Sequence, residues 1–316
     1  MKKYILKRLL TAIPVLLMIS IGAFVLVNLA PGDPADLYVV PDATPQQIEA
    51  TRRALGLDQP YPVQYLRWLS RALRGDLGQS FSTRYPVLPI LISRLIPTVT
   101  LMGTTLLFSY IIAIPLGIIS ARKQGTWIDT LLTGGSFVGV SIPNFFLGLG
   151  LIYIFSVQLG WFPTGGMSEL GEEGGLLTTL HHLVLPVSVL SAFYIANMTR
   201  YMRATMIEVY GENYIRTATA KGLARQVILT RHGIRNALIP VITIIGTDLP
   251  RLVGGAIVTE QIFQWPGLGR LTIVAINQRD YPILMAVTIL SAVVVLLANL
   301  LVDIMYAVVD PRIKYD

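Results

Sequence analysis

Apolar residues fall along this 316-residue chain in six long runs, separated by polar stretches that carry proline and glycine. The runs lie at about 9–29, 97–120, 131–159, 178–199, 236–258 and 282–308. A helix rises about 1.5 Å per residue, so a run of about 20 residues crosses a hydrocarbon core of about 30 Å. Each run is therefore predicted to be a membrane-spanning helix, which makes the fold an all-α membrane protein. The third run is too long for a straight crossing, and Ser141-Ile142-Pro143-Asn144 interrupts it. Proline removes a backbone hydrogen bond and clashes one turn back, so a kink or break is expected there. Pro115 in the second run and Pro250 in the fifth are expected to act in the same way. Lys2, Lys3, Lys7 and Arg8 precede the first run in the manner of a signal peptide. The apolar stretch 9–30 exceeds the roughly 7–15 residues of a cleaved signal core, so a retained first helix is expected.

The polar pattern divides the rest. Residues 1–30 form the amino terminus and first span, 31–96 the one sizeable piece outside the membrane, 97–308 a five-helix core that includes the 200–235 loop, and 309–316 the tail. In 31–96, Thr44-Pro45-Gln46-Gln47 has the form of a helix start, with a threonine cap, proline at the first helical position and glutamine three after the cap. Gly56 is a plausible stop. A second amphipathic helix is predicted over about 62–74, with Val63, Leu66, Leu69 and Leu73 at helical spacing and a stop at Gly75.

Charge orients the chain. The amino terminus, the 121–130 loop, the 200–235 loop and the tail carry four, two, seven and two basic residues, and these segments alternate onto one side. The 160–177 loop carries none and the 259–281 loop carries two. Short basic loops stay cytoplasmic, so both termini are expected in the cytoplasm and 31–96 outside it. Only 14% of the residues are charged against 53% hydrophobic; soluble domains carry about a quarter charged. The formal charge of +7 then reflects membrane orientation, and nucleic acid is not an expected partner. Cysteine is absent, which removes disulfides and thiolate chemistry. His181 and His182 are adjacent, about 100° apart on a helix, which is poor geometry for one metal ion.

Chemistry concentrates in the 200–235 loop. Tyr214, Ile215, Ala218 and Gly222 share a small, apolar helical face that suits close docking in a cleft on a partner; an amphipathic helix resting on the membrane is the alternative. The loop resembles the "EAA" loop of ABC importers, in which two small residues precede a glycine that ends a coupling helix docked on the ATPase. Here the glycine is Gly222 and the small positions are Thr217 and Ala218, with Tyr214, Ile215 and Lys221 on the same helix. Arg216 stands in place of the glutamate, and the stretch to Arg235-Asn236-Ala237-Leu238-Ile239-Pro240 is longer than usual. That form resembles the permeases of the dipeptide, oligopeptide and nickel systems.

Further matches run the length of the chain: Ala30-Pro31-Gly32-Asp33-Pro34, Gly75-Asp76-Leu77-Gly78-x-Ser80, the 259–270 stretch from Thr259-Glu260 to Gly269-Arg270, Arg279-Asp280-Tyr281-Pro282, Asn299-Leu300-x-Val302-Asp303 and Asp310-Pro311-Arg312. The resemblance implies a six-span type I importer permease in a bacterial inner membrane. It implies as partners a homologous second permease, two cytoplasmic ATP-binding subunits, an extracytoplasmic substrate-binding protein and membrane lipids. The chain has no phosphate-cradling Gly-x-x-x-x-Gly-Lys-Ser/Thr loop, so no cofactor is expected in it, with ATP and magnesium in the partner subunits.

Asp248 and Arg251 lie within the fifth run at i, i+3 spacing, close enough to pair. Charges at that depth usually face a bundle interior or a substrate path. They are therefore candidates, with Ser141 and Asn144 at the third-run break, for lining the translocation path; a self-satisfied packing pair is the alternative. An ion-coupled carrier would favour internal repeats and more intramembrane acids, and an intramembrane enzyme would need a nucleophile with its base or a metal cluster. Neither pattern is visible. Di- or oligopeptide is the first choice of substrate, with nickel or an oligosaccharide as alternatives.

Overall fold

The computed structural model describes residues 2–29, 33, 35, 38–39, 43–168, 175–248, 250–251 and 256–309. Among them the regular structure is helical apart from one antiparallel bridge between Gln79 and Pro86. The helices are α1 (Lys2–Leu29), α2 (Pro45–Leu55), α3 (Tyr61–Ala72), α4 (Val87–Arg122), α5 (Trp127–Ser141), α6 (Asn144–Leu151, continuing as a π-helical turn Ile152–Gln158) and α7 (Leu176–Gly211). They are followed by α8 (Asn213–Ala220), a short turn with a π-helical stretch Ile228–Ile234, α9 (Arg235–Asp248), α10 (Ile257–Ile262), α11 (Leu268–Asn277) and α12 (Tyr281–Val309).

Within the described residues α1, α4, α7 and α12 are each long and apolar enough to cross a membrane. The third run is the pair α5 and α6, bent by 96° at the Ser141–Asn144 break, as the internal proline demands. Pro115 does not break its helix, because α4 runs through it. The fifth run is helical from Arg235 to Asp248, and Pro250 lies in a turn; residues 249 and 252–255 fall outside the described set. Both α4 and α7 have 36 residues, about 54 Å at 1.5 Å per residue, well beyond a hydrocarbon core. Hydropathy marks where lipid ends, whereas the backbone ladder continues into charged residues such as Arg94 and Arg203.

The chain gathers into two compact units, one built on Met1–Thr98 and Pro266–Leu300, the other on Val99–Trp265 and Leu301–Lys314. In the first, α2 starts as its sequence requires. Thr44 Oγ1 accepts from the Gln47 amide, Gln47 Oε1 accepts from the Thr44 amide, and Gly56 ends the helix at φ 73°. The face of α3 is not the expected one. Val63, Leu66 and Leu73 are exposed, because aromatic residues take the inner side: Tyr65 shares a hydrogen bond with Ser20 and meets the Phe24 ring edge-on, and Trp68 stacks on Tyr65. Two sequence motifs meet at Asp280, which is fully buried. Its carboxylate accepts from the Ser80 and Ser82 hydroxyls and from the Ser82 and Ile283 amides. Nearby, the Tyr38 phenol donates to the Gln278 carbonyl at 2.7 Å. Burial first, and the Asp280 charge second, push that phenol up to about 12, so it remains a donor throughout the neutral range.

The second unit packs α5 and α9 on α7, and Met198, Met202 and Met206 of α7 are buried in a cluster with residues of α4, α8 and α9. Gly117 lets α4 approach α7: a Cβ there would lie 2.5 Å from Met202 Cβ and 2.8 Å from the Thr199 carbonyl oxygen. Asp129 locks the α4–α5 turn to α7. It accepts both Nε and Nη2 of Arg203, at 2.7 and 2.8 Å, together with the Ser120 hydroxyl and the Gly125 amide.

Removing one member of a buried ion pair strands the other, at a cost of about 3–5 kcal/mol, whereas replacing both with apolar residues is often neutral. Asp129→Ala should therefore lower the melting temperature of the purified chain markedly, with a cost nearer 3 kcal/mol because Arg203 keeps 27% of its side chain exposed. Asp129→Leu combined with Arg203→Met should recover most of the loss. Equal melting of the single variant and the parent would remove the lock.

Candidate coupling surface and translocation-path cluster

Helix α8 is separated from α7 by Glu212, whose extended backbone (φ −69°, ψ 145°) turns the chain. Its end is a paired-carbonyl stop. The Gly222 amide donates to the Thr219 carbonyl at 2.9 Å and the Leu223 amide to the Ala218 carbonyl at 3.3 Å, with Gly222 at φ 75°. That left-handed conformation is the reason for a glycine at this place.

The expected docking face divides in two. Ile215 and Ala218 are buried at 7% and 5%, packed in the chain's own core with Met206, Ile228 and Leu229. Those two apolar residues are therefore not a face offered to a partner or to lipid, as the sequence pattern suggested. Helical spacing identifies which residues share a face, not what covers it. The exposed side of α8 carries Tyr214, Arg216 and Thr217, followed by Lys221 and Gly222 in the closing turn. Burial, and next the Glu212 charge, raise the Tyr214 phenol, which stays neutral. This is a small surface of mixed polar and basic character on a rigid support.

The second cluster centres on Asp248, 7% exposed at the end of α9. One carboxylate oxygen accepts from Arg251 Nη1 and the other from the Tyr110 hydroxyl of α4, each at 2.8 Å. The Arg251 side chain is half exposed while that of Asp248 is not, so the pair presents a cation anchored by a buried anion. Ser141 and Asn144 lie at the α5–α6 break. Ser141 donates to the Phe137 carbonyl, Asn144 opens α6, and neither hydrogen-bonds with Asp248 or Arg251. Sequence reasoning missed Tyr110, an aromatic inside an apolar run that carries no local sign of a partner 138 residues away.

The histidines each face a backbone carbonyl: His181 Nε2 lies 2.9 Å from the Trp161 oxygen and His182 Nδ1 3.1 Å from the Gly165 oxygen. Among the described residues no group of three His, Cys, Asp or Glu could hold a metal. The 259–270 motif is a packing element in both halves, with Glu260, Phe263, Trp265 and Leu268 buried. Gly165 is required there, since a Cβ would collide with the Phe263 carbonyl. The tail motif at 310–312 lies outside the described residues, as does the 30–34 motif except for Asp33, which pairs with Arg52 at 3.2 Å.

Residues 113–315 match the family described as binding-protein-dependent transport system inner membrane component, and residues 1–102 match its N-terminal membrane component. The oligopeptide transport system permease protein AppB of Bacillus subtilis (strain 168) is 46% identical over 316 residues, the whole of both chains. A probable peptide ABC transporter permease protein, y4tP of Sinorhizobium fredii, is 42% identical over 99% of each chain. The glutathione transport system permease protein GsiC of Escherichia coli (strain K12) is 41% identical over the whole of both. In fold, a chain of the inward-facing MetNI methionine ABC transporter superposes with a TM-score of 0.55 at 16% identity, covering 71% of this chain and 97% of that one. Helices of spanning length, a matching fold and family agreement along the full sequence converge on one reading: the chain belongs to the binding-protein-dependent transport system inner membrane components, as a non-catalytic, multi-pass permease subunit of an ABC importer.

Proposed function

We propose that the chain forms half of a translocation path for di- or oligopeptides, with a homologous second permease forming the other half. Two cytoplasmic ATP-binding subunits, holding ATP and magnesium, would supply the work, and an extracytoplasmic binding protein would deliver substrate. The observation that carries the peptide reading is identity above 40% over full length to permeases whose names specify oligopeptide, peptide and glutathione. Glutathione is itself a tripeptide, so the three names share one chemistry. In this reading the exposed side of α8 with Gly222 meets an ATP-binding subunit. Asp248 and Arg251 face the path, where a fixed cation half open to solvent suits a peptide carboxylate. Ser141 and Asn144, exposed at a break in a span, are assigned to the same path. The basic loops support cytoplasmic termini, with 31–96 and 160–177 outside.

Three experiments test these assignments. Proteoliposomes holding the complete complex should take up acidic, neutral and basic tripeptides on addition of ATP, and Asp248→Asn should shift the preference among them several-fold. Uptake of nickel or an oligosaccharide in place of peptide would overturn the substrate reading. A variant carrying both Asp248→Asn and Arg251→Gln, with normal uptake and unchanged preference, would remove the pair from the path. On α8, Thr217→Glu and Lys221→Glu should cut ATP-driven uptake at least tenfold with unchanged melting temperature. Ala218→Glu should instead lower abundance and melting, because it places a charge in the core. If both exposed variants transport normally, the coupling assignment fails. For orientation, the absence of cysteine allows single reporters: an impermeant thiol reagent on intact cells should label Gln59→Cys and spare Gln226→Cys, and the reverse pattern would invert the topology.

A further inference from the structure

In the unit built on Met1–Thr98 and Pro266–Leu300, an open cavity of ≈ 540 Å³ is lined by the last turns of α1, the α2 end, α3, the 76–84 loop and the start of α12. Sites for small organic ligands run from about 300 to 1,000 Å³. Three exposed arginines line it, Arg67, Arg71 and Arg84, beside the half-buried aromatics Phe24, Trp68 and Tyr281. Arg67 and Arg71 are i, i+4 on α3 and so project from one face. Arg84 is held at φ 62°, uncommon for a residue other than glycine, in a turn closed by the Ser80 amide on the Tyr85 carbonyl and the Arg84 amide on the Ser80 carbonyl.

The charges in this cavity are unbalanced. Among the described residues none of the three arginines forms an ion pair. Asp76 is the one acidic side chain in the lining, and its Oδ1 already accepts from the Gly78 amide at 2.9 Å. Three guanidinium groups against one carboxylate leave a formal +2. The cavity therefore offers unpaired cations and aromatic walls, which together call for an anion carried on an apolar body.

We propose that this cavity binds the carboxyl end of a short peptide. The guanidinium groups take the carboxylate, and the aromatic residues pack on the side chains. The anion requirement stands on the cavity alone, while the choice of a peptide as its carrier rests on the transport reading above. A lipid chain suits a different place. The cavity of ≈ 520 Å³ between 8–16 of α1 and 293–300 of α12 is lined mostly by apolar residues such as Leu9, Ile13 and Leu297, and an acyl chain in the arginine-lined cavity would leave the polar groups there unmet.

The test is calorimetric titration of the full-length chain in phosphatidylcholine nanodiscs with Ala-Leu-Ala and with its C-terminal amide. The acid should bind at least tenfold more tightly than the amide. Arg67→Gln with Arg71→Gln should weaken the acid at least tenfold at an unchanged melting temperature, and Trp68→Leu, which removes an aromatic wall, should weaken acid and amide alike several-fold. If the double variant melts early, Arg84→Gln alone replaces it. Equal binding of acid and amide, unchanged affinity in the arginine variants, or no binding of either peptide would overturn the site. Loss of peptide binding when phosphatidylglycerol replaces half of the phosphatidylcholine would identify a lipid phosphate as the occupant and overturn it equally. Uptake of the same peptide by the complete complex separates the two readings. Uptake without binding to the isolated chain overturns this site and leaves peptide transport standing, whereas binding to the isolated chain without uptake supports the site and removes the transport reading.

Discussion

A carboxylate buried inside a membrane protein must bring its own donors, because lipid supplies none and an unpaired charge in low dielectric is severely penalised. Asp129, Asp248 and Asp280 each meet that demand by drawing on segments far apart in sequence. Asp129 gathers Ser120, Gly125 and Arg203; Asp248 gathers Tyr110 and Arg251; Asp280 gathers Ser80, Ser82 and the Ile283 amide. Each therefore fixes which helices and loops are neighbours and in what register. A sliding motion of one turn at any of these points would leave a charge without partners. Between the locks of the second unit lie Met198, Met202 and Met206, whose flexible thioether side chains can repack at small cost. That unit thus combines rigid electrostatic ties with a deformable core.

What could be read from sequence was what is decided locally or by solvent. The start of α2 is a contact between Thr44 and Gln47, three residues apart, and the pattern that encodes it is short enough to see. The break at Ile142-Pro143 follows from the chemistry of one residue. The ends of α4 and α7 were not legible, since hydropathy stops where charge begins while the backbone ladder does not. Nor was the inner face of α3. Leucines at helical spacing pointed one way, but Tyr65 and Trp68 each bury more area than a leucine, and Tyr65 also meets Ser20 through its hydroxyl, so they took the inner side and left Leu66 and Leu73 outside.

The motifs fared differently from one another for a related reason. Gly75–Ser80 and Arg279–Pro282 read separately as turn chemistry, and the reason they occur in one chain is a contact across 200 residues, from Ser80 to Asp280. No local signal announces it. The candidate path residues show the same limit: the Asp248–Arg251 pairing was visible as i, i+3 spacing, whereas Tyr110, which makes Asp248 a shared acceptor, was not.

The reversal on α8 changes how a coupling helix of this kind would act. A helix that docked through Ile215 and Ala218 would be held to its own chain only at its two ends, and movement of a partner could tilt it alone. With those residues in the core against Met206, Ile228 and Leu229, α8 is instead continuous with the packing of α7. The Arg203 tie to Asp129 lies less than one turn before Met206, so the last turns of α7 are also joined to the α4–α5 turn. On the coupling reading, a displacement applied at Thr217 or Lys221 cannot be absorbed by α8 itself and must move α7 and the α5 start together. The Glu212 corner and the Gly222 stop then keep α8 short, so that the load enters the core directly.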